Sequence, residues 1–277
     1  MEPVFAGRRA LVVGGSGGIG RALAAGLAER GAAVTITGGN SPERLEAALE
    51  ELREAARAGN ARTGKNGAGK KGSTPPAGFL CRIGGPEGFS PEKAAAFILE
   101  RAGFPEQPVD LLALAWGPFK KIALQESKPE DWRFLVENNI IFPGIVTSLV
   151  LCAMIKRRWG RIALFGGTGT AEIRGFSSSA VYGAAKTALG TLARSAALSA
   201  RRAGIPDLTC NVICPGLTET EYTGPEERAW YRLKSPGGRA LEPGDVARAA
   251  LAVLENPAFN GAVIPVDGGF DKSPEKV

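Results

Sequence analysis

The chain contains no histidine. No imidazole is available as a general base, as a zinc ligand or as the middle member of a nucleophilic triad, so any proton relay must run through other side chains. Cysteine is scarce. Cys81, Cys152, Cys210 and Cys214 lie scattered in apolar segments without metal-ligand spacing, which predicts reduced core thiols in a cytoplasmic protein. No uninterrupted apolar run of about 18 residues occurs, so no membrane span is expected. Met1–Arg9 lack the apolar stretch of a secretory leader. Basic charge is not spread evenly either. The formal net charge is +6, but the excess collects in residues 59–78, which hold Arg62, Lys65, Lys70 and Lys71 and no acid. A broad basic face for nucleic acid is therefore not expected.

Residues 59–78 are rich in Gly, Lys and Pro and are expected to form a flexible loop. Within them Gly64 to Lys71 approaches a phosphate-binding P-loop. It lacks the closing Ser or Thr that would hold magnesium, and no strand precedes it.

What the chain does have is alternation. Short apolar runs (Ala10–Val13, Ala33–Thr37, Phe79–Ile83, Val109–Ala115, Arg161–Phe165, Leu208–Ile213, Ala262–Val266) are separated by amphipathic stretches. The helices are expected from the glycine turn to Arg30, over Glu43–Ala58, Pro91–Ala102, Pro129–Arg158 with a kink at Pro143, Ser179–Ala203 and Pro243–Glu255. Near-continuous apolar strands alternating with helices predict an α/β fold, a doubly wound parallel sheet of about seven strands with helices on both faces. No internal repeat divides residues 1–277, which are expected to form one domain.

Two motifs carry chemistry. Val13-Gly-Gly-Ser-Gly-Gly-Ile-Gly20 joins the first strand to the first helix. Glycines at 14, 18 and 20, with Ser16 and Ile19 between them, let the backbone approach a pyrophosphate while the helix N-terminus supplies N–H donors, as in a Rossmann fold. Tyr182 and Lys186 are four residues apart, on one face of a helix. An ammonium beside a phenol favours the phenolate, so Tyr182 is expected to have a lowered pKa and to serve as acid or base. Taken alone, Tyr182 and Lys186 also fit an incidental helical pair.

Together, in this order, these motifs resemble the short-chain dehydrogenase/reductase family. Asn139 resembles its helix asparagine, Cys214-Pro215-Gly216-Leu217-Thr218-Glu219-Thr220 its cofactor loop, and Val266-Asp-Gly-Gly269 its C-terminal motif. The resemblance covers nearly the whole chain and is to the short single-domain branch that includes 3-oxoacyl-carrier-protein reductases. It implies that Tyr182 protonates a substrate oxygen as hydride arrives. Lys186 would hold the nicotinamide ribose and tune Tyr182, and Asn139 would hold a water linking Lys186 to solvent. Thr218 and Thr220 would meet the nicotinamide or phosphate end, beside Pro215 and Gly216. The enoyl reductases of the superfamily place their tyrosine seven residues before the lysine, where this chain has Ser179.

Three positions depart from the family pattern. Its serine after the fifth strand falls on Gly167 when counted from the strand and on Gly169 when counted from Tyr182, so Thr168 is expected to substitute, with Thr170 second. Its Asn-Asn-Ala-Gly appears as Leu114-Ala-Trp116-Gly117, which brings Trp116 and Gly117 beside the cofactor. Its acid after the third strand appears as Arg82. At the end of the second strand Thr37-Gly-Gly39-Asn40-Ser41 offers no acid for a ribose 2′-hydroxyl, and Arg44 and Arg82 are near. NADP(H) is therefore expected, with NAD(H) the alternative. Residues 217–242, with Tyr222, Trp230, Tyr231 and Leu233, are expected to form a substrate lid. Small residues along 184–203 fit a homo-oligomer, dimer or tetramer, as well as a buried helix. Two functions follow: an oxidoreductase acting on a carbonyl or alcohol, or a dinucleotide-binding protein with little or no catalysis.

Overall fold

The computed structural model describes residues 3–62, 74–84, 88–221 and 223–269. Seven parallel strands form one sheet in the order β3-β2-β1-β4-β5-β6-β7, where β1 is Arg9–Val13, β2 Ala33–Gly38, β3 Ala77–Leu80, β4 Leu111–Leu114, β5 Gly160–Phe165, β6 Leu208–Pro215 and β7 Val263–Val266. The strand order reverses between β1 and β4, which opens a crevice at the carboxyl ends of the strands.

Alternation along each strand divides the core in two. Leu11, Val13, Leu112, Leu114, Ile162 and Leu164 face one layer, completed by helices α3 (Pro91–Arg101), α5 (Phe142–Arg157) and α6 (Ala180–Arg202). Ala10, Val12, Leu111, Ala113, Ala163 and Phe165 face the other, completed by α1 (Gly18–Glu29), α2 (Pro42–Arg62) and α8 (Pro243–Glu255). Both faces are covered, so the strands are apolar throughout, as a doubly wound sheet requires.

Several elements differ from expectation. The bend before α5 is not made at Pro143 itself. It is a π-helical turn, Glu137–Ile141, set between α4 (Pro129–Val136) and α5. Its wider winding turns both Asn138 and Asn139 inward, fully buried. β3 begins two residues early, because Ala77 and Gly78 pair with Thr35 and Ile36, while Ile83 makes a separate bridge with Phe89. The expected loop 59–78 is shorter than that range. α2 continues to Arg62 and β3 starts at Ala77, and residues 63–73, including the P-loop-like stretch 64–71, lie outside the described residues. Within 217–242 a further helix, α7 (Pro225–Lys234), forms; Tyr222 lies outside the described residues.

Cys152 is exposed, not a core thiol, because α5 is apolar around its whole circumference and leaves Ile141, Leu149 and Cys152 facing outward. Among the described residues Pro129–Arg157 is the one stretch long and apolar enough to cross a bilayer, with a mean hydropathy of 1.8. Here it is a layer of the fold, with Phe142, Val146, Val150 and Met154 packed into the sheet core.

Candidate active site

The glycine turn after β1 is built by close approach. Gly14 adopts φ 81°, and a Cβ there would stand 2.7 Å from the Ala115 carbonyl oxygen. A Cβ on Gly20 would stand 2.2 Å from the Gly14 carbonyl oxygen, so α1 can start under the turn only with glycine at that position. The Gly14 N–H donates to Thr37 Oγ1 at 3.1 Å, which ties the turn to the end of β2. Ser16 is buried beside Gly38, and Ile19 packs on the core under α1. The Gly18 N–H, at the head of α1, meets the Glu221 carboxylate, with both oxygens at 3.0 Å.

From this turn a cleft of about 330 Å³ extends along the ends of β2 and β3, lined by Gly39, Asn40, Leu80, Cys81, Arg82, Phe89 and Phe97. Phe89 and Phe97 pack with their rings tilted and centroids 5.2 Å apart, and Arg82 donates from Nε to Asn40 Oδ1 at 2.9 Å. An apolar wall with a guanidinium at its rim suits a purine ribose bearing a phosphate. A larger depression, 710 Å³, lies at the opposite edge of the sheet by Ala197, Arg201 and Asn260, far from the glycine turn, and is shallow and open.

On the other side of β1, three elements converge. Lys186 is 4% exposed, and its Nζ donates to the Phe165 carbonyl at 2.8 Å and, more weakly, to the Trp116 carbonyl at 3.5 Å. Asn139 Nδ2 donates to the Pro118 carbonyl at 3.0 Å, and its Oδ1 has no partner among the described residues. Both side chains point at Gly117, where a Cβ would stand 2.3 Å from Asn139 Oδ1 and 2.7 Å from Lys186 Nζ. Glycine at 117 is thus a condition for bringing the two together. Trp116 turns its ring away, edge-on to Phe142 at 5.9 Å, so its backbone and not its indole faces the crevice.

Tyr182 lies one helical turn before Lys186, with Lys186 Nζ 6.0 Å from its ring centroid and Phe119 packed edge-on at 5.0 Å. Its hydroxyl has no hydrogen bond among the described residues, and it rests against the backbone at the end of β5. A Cβ on Gly167 would be 2.5 Å from the Tyr182 hydroxyl oxygen. The residue that faces the phenol is therefore Gly167, and a side chain there would strike it. Thr168 is one step further, its hydroxyl donating to the Pro215 carbonyl at 3.3 Å. Thr170 is committed elsewhere. Its hydroxyl donates to the Gly167 carbonyl at 2.9 Å and accepts from the Gly167 N–H at 2.8 Å, so it braces the loop rather than facing the phenol.

The electrostatics correct one expectation. Burial pushes the Tyr182 phenol well above its ordinary value, reinforced by charge on Cys214 and Tyr231; it is not lowered by its neighbour. The same burial lowers Lys186 to about 8. Desolvation dominates at both groups, so at neutral pH the phenol is protonated and the amine is mostly ammonium.

Thr218 donates to the Gly216 carbonyl at 3.0 Å, within its own turn, and the Thr220 methyl lies near Gly18. The base of segment 217–242 is pinned where the Glu219 N–H donates to the Leu241 carbonyl at 2.8 Å. Two residues of this segment carry more than their aromatic content announced. Glu221 reaches α1, and Tyr231, whose hydroxyl donates to Glu227 at 3.2 Å, is close enough for its charge to be felt at Tyr182.

Comparison with known proteins agrees with this fold. A family model described as short chain dehydrogenase matches residues 8–64, and one described as enoyl-(acyl carrier protein) reductase matches residues 92–271. The chain is 32% identical to the 3-oxoacyl-[acyl-carrier-protein] reductase of Escherichia coli (strain K12), over 96% of this chain and 98% of the relative. It superimposes on the NADP-bound 3-oxoacyl (acyl-carrier-protein) reductase of Agrobacterium tumefaciens C58 with a TM-score of 0.76, at 26% identity, covering 96% of this chain and 95% of that one. For a single-substitution variant of actinorhodin polyketide ketoreductase with NADPH the TM-score is 0.74 at 28% identity, covering 99% and 100%.

Proposed function

The chain belongs to the short-chain dehydrogenase/reductase family, whose members here are oxidoreductases of carbonyl and alcohol groups, and from that premise we propose that it is an NADP(H)-dependent carbonyl reductase with Tyr182 as its acid. The observation that carries the reading is the Tyr182 hydroxyl, free of internal partners among the described residues and set one helical turn from the Lys186 ammonium at the mouth of the crevice.

The residues fit the cofactor. The glycine turn and α1 N-terminus take the pyrophosphate, with Gly14, Ser16, Gly18, Ile19 and Gly20 forming the cradle. Gly39, Asn40 and Arg82 line the adenosine end, where among the described residues no acid lines the cleft to repel a 2′-phosphate, which favours NADP(H) over NAD(H). Trp116, Gly117, Pro215, Gly216, Thr218 and Thr220 border the nicotinamide end. Bound there, the cofactor supplies the hydride for reduction. Tyr182 gives its phenolic proton to the substrate oxygen, Lys186 holds the ribose hydroxyls and stabilises the phenolate left behind, and Asn139 Oδ1 accepts from a water that returns the proton. Thr168 reaches the substrate oxygen by exchanging its long bond to Pro215. Residues 217–242 act as the lid, and the names of the relatives make 3-oxoacyl thioesters the first substrate class to try. The tyrosine stands four residues before the lysine and Ser179 seven before it, which favours carbonyl over enoyl reduction.

The outward apolar face of α5 and the turn before it, with Leu149 and Ile141 about 40–46% exposed, supports a homo-oligomer built on the long helices. Free cysteines accord with a cytoplasmic setting.

A second reading, a dinucleotide-binding protein with little catalysis, rests on Gly167, which leaves the tyrosine without a hydroxyl neighbour at that position. Titration with NADPH and NADH by fluorescence transfer from tryptophan, followed by turnover of a 3-oxoacyl thioester, separates the two. The enzyme reading predicts tighter NADPH binding and consumption of NADPH with substrate. Tight binding with no turnover across carbonyl classes favours the second reading, and tighter NADH overturns the cofactor choice.

A further inference from the structure

The head of α1 is already occupied by an anion from the chain itself. Gly18 donates its N–H to Glu221, both carboxylate oxygens at 3.0 Å, across 203 residues of sequence. Contact is close on the neighbouring residue as well: a Cβ on Gly18 would be 3.2 Å from the Thr220 methyl carbon. The segment that delivers Glu221 is anchored on both sides. The Leu241 N–H donates to the Leu217 carbonyl at 2.9 Å, and the Thr220 N–H donates to Thr223 Oγ1 at 3.0 Å.

We propose that Glu221 is an internal competitor for the cofactor phosphate, a carboxylate that caps α1 in the unloaded protein and must leave for the dinucleotide to bind. The inference rests on the reading above, that the pyrophosphate sits at this helix end. One N–H cannot serve a carboxylate and a phosphate together, and two anions at one helix end repel. The unloaded protein gains a satisfied helix terminus with a negative charge where the macrodipole favours it. The cofactor then binds only the fraction of molecules in which Glu221 is displaced, and its apparent affinity is reduced by that fraction. Reach matters as well as charge, because aspartate is one methylene shorter. Segment 217–221 also carries Thr218 and Thr220, so the exchange of carboxylate for phosphate moves the start of the lid when the cofactor arrives.

The test compares wild type with Glu221→Gln, Glu221→Asp and, as a control, Glu54→Gln, an exposed acid on α2 without a contact to Gly18. Two readouts are taken: the NADPH dissociation constant by tryptophan fluorescence, and the thermal midpoint with and without saturating NADPH. Glu221→Gln and Glu221→Asp are expected to bind NADPH about three- to tenfold more tightly, the range set by a charge at a helix end. Without cofactor their midpoints fall by about 1–3 °C, and with NADPH the loss disappears. Glu54→Gln matches wild type in both. Equal NADPH affinity in wild type and Glu221→Gln overturns the inference while leaving the proposed function intact. Glu221→Asp behaving as wild type overturns the contact as the cause. Failure of every variant and of wild type to bind NADPH overturns the cofactor reading itself, and this inference with it.

Discussion

Asp110 and Asn139 are both buried, at opposite edges of the same sheet, and they are treated in opposite ways. At the amino edge each Asp110 oxygen has a donor: the Arg9 N–H at 2.9 Å on Oδ2 and the Arg157 guanidinium on Oδ1, with the Arg8 guanidinium in ion-pair range at 3.8 Å. Next to it Arg161 spends its guanidinium on the Leu254, Gly160 and Asp207 carbonyls and on the Asp207 carboxylate. Trp159 takes the Arg8 guanidinium over its ring at 3.7 Å and that of Arg161 at 4.7 Å. At the carboxyl edge Asn139 Oδ1 is left without a partner among the described residues, and Tyr182 keeps an unbonded hydroxyl. The amino edge pairs the charges of Asp110, Arg157 and Arg161 with one another or with neighbouring groups. The other keeps polar groups open, at a cost in stability that only a ligand recovers.

Substitutions sharpen that contrast. The largest effect is expected from Lys186→Met. Turnover falls by about 100- to 1,000-fold, the range for losing a group that stabilises charge in the transition state, while the fold gains stability near neutral pH. Folding lowers the Lys186 pKa from 10.5 to about 8, so the unfolded chain holds the extra proton between those values and wild-type stability rises with pH across that window. The excess stability of Lys186→Met over wild type, at most about 3 kcal/mol, therefore shrinks from pH 8 to pH 10 in paired thermal melts. A constant difference contradicts the buried ammonium.

Asp110→Ala breaks the amino edge. It strands Arg157 and the Arg9 N–H and is expected to lower unfolding free energy by about 3–5 kcal/mol in urea titration, with the NADPH dissociation constant of the folded fraction unchanged. A changed affinity would mean that the two edges are coupled. Gly117→Ala breaks the carboxyl edge by pushing Asn139 and Lys186 apart. Turnover should drop by about tenfold or more for a misplacement of this kind, with NADPH binding weakened where Lys186 would meet the ribose. Arg82→Ala is the mildest. NADPH affinity falls by about tenfold, about 1.4 kcal/mol, and NADH affinity changes by less than about twofold; equal losses for both would remove Arg82 from the 2′-phosphate.

The same contrast explains what could be read from the sequence. Apolar periodicity announced all seven strands and the order of the helices flanking them, because burial on both faces leaves a direct record in composition. The glycine turn and the Tyr182–Lys186 spacing were legible because backbone approach and helical pitch are local. The π-helical turn at Glu137–Ile141 was not, since its residues read as ordinary helix and Pro143 drew attention one turn too far along. α7 buries no residue, and its Trp230, Tyr231 and Leu233 read as lid residues instead of a helix. The approach of Glu221 to Gly18 spans 203 residues and has no local signature. Spacing also suggested the wrong direction for the Tyr182 pKa, because a helical pair gives proximity but not desolvation. Gly167 was located by counting from β5, but its meaning came from the phenol lying against it.

The most direct test of Tyr182 as the proton donor is a single-turnover measurement of NADPH oxidation by a 3-oxoacyl thioester, in wild type and Tyr182→Phe, with NADPH binding measured on the same samples. Tyr182→Phe is expected to bind NADPH as wild type does and to lose about 100-fold or more of the hydride-transfer rate. A Tyr182→Phe enzyme that turns over at the wild-type rate would contradict that role.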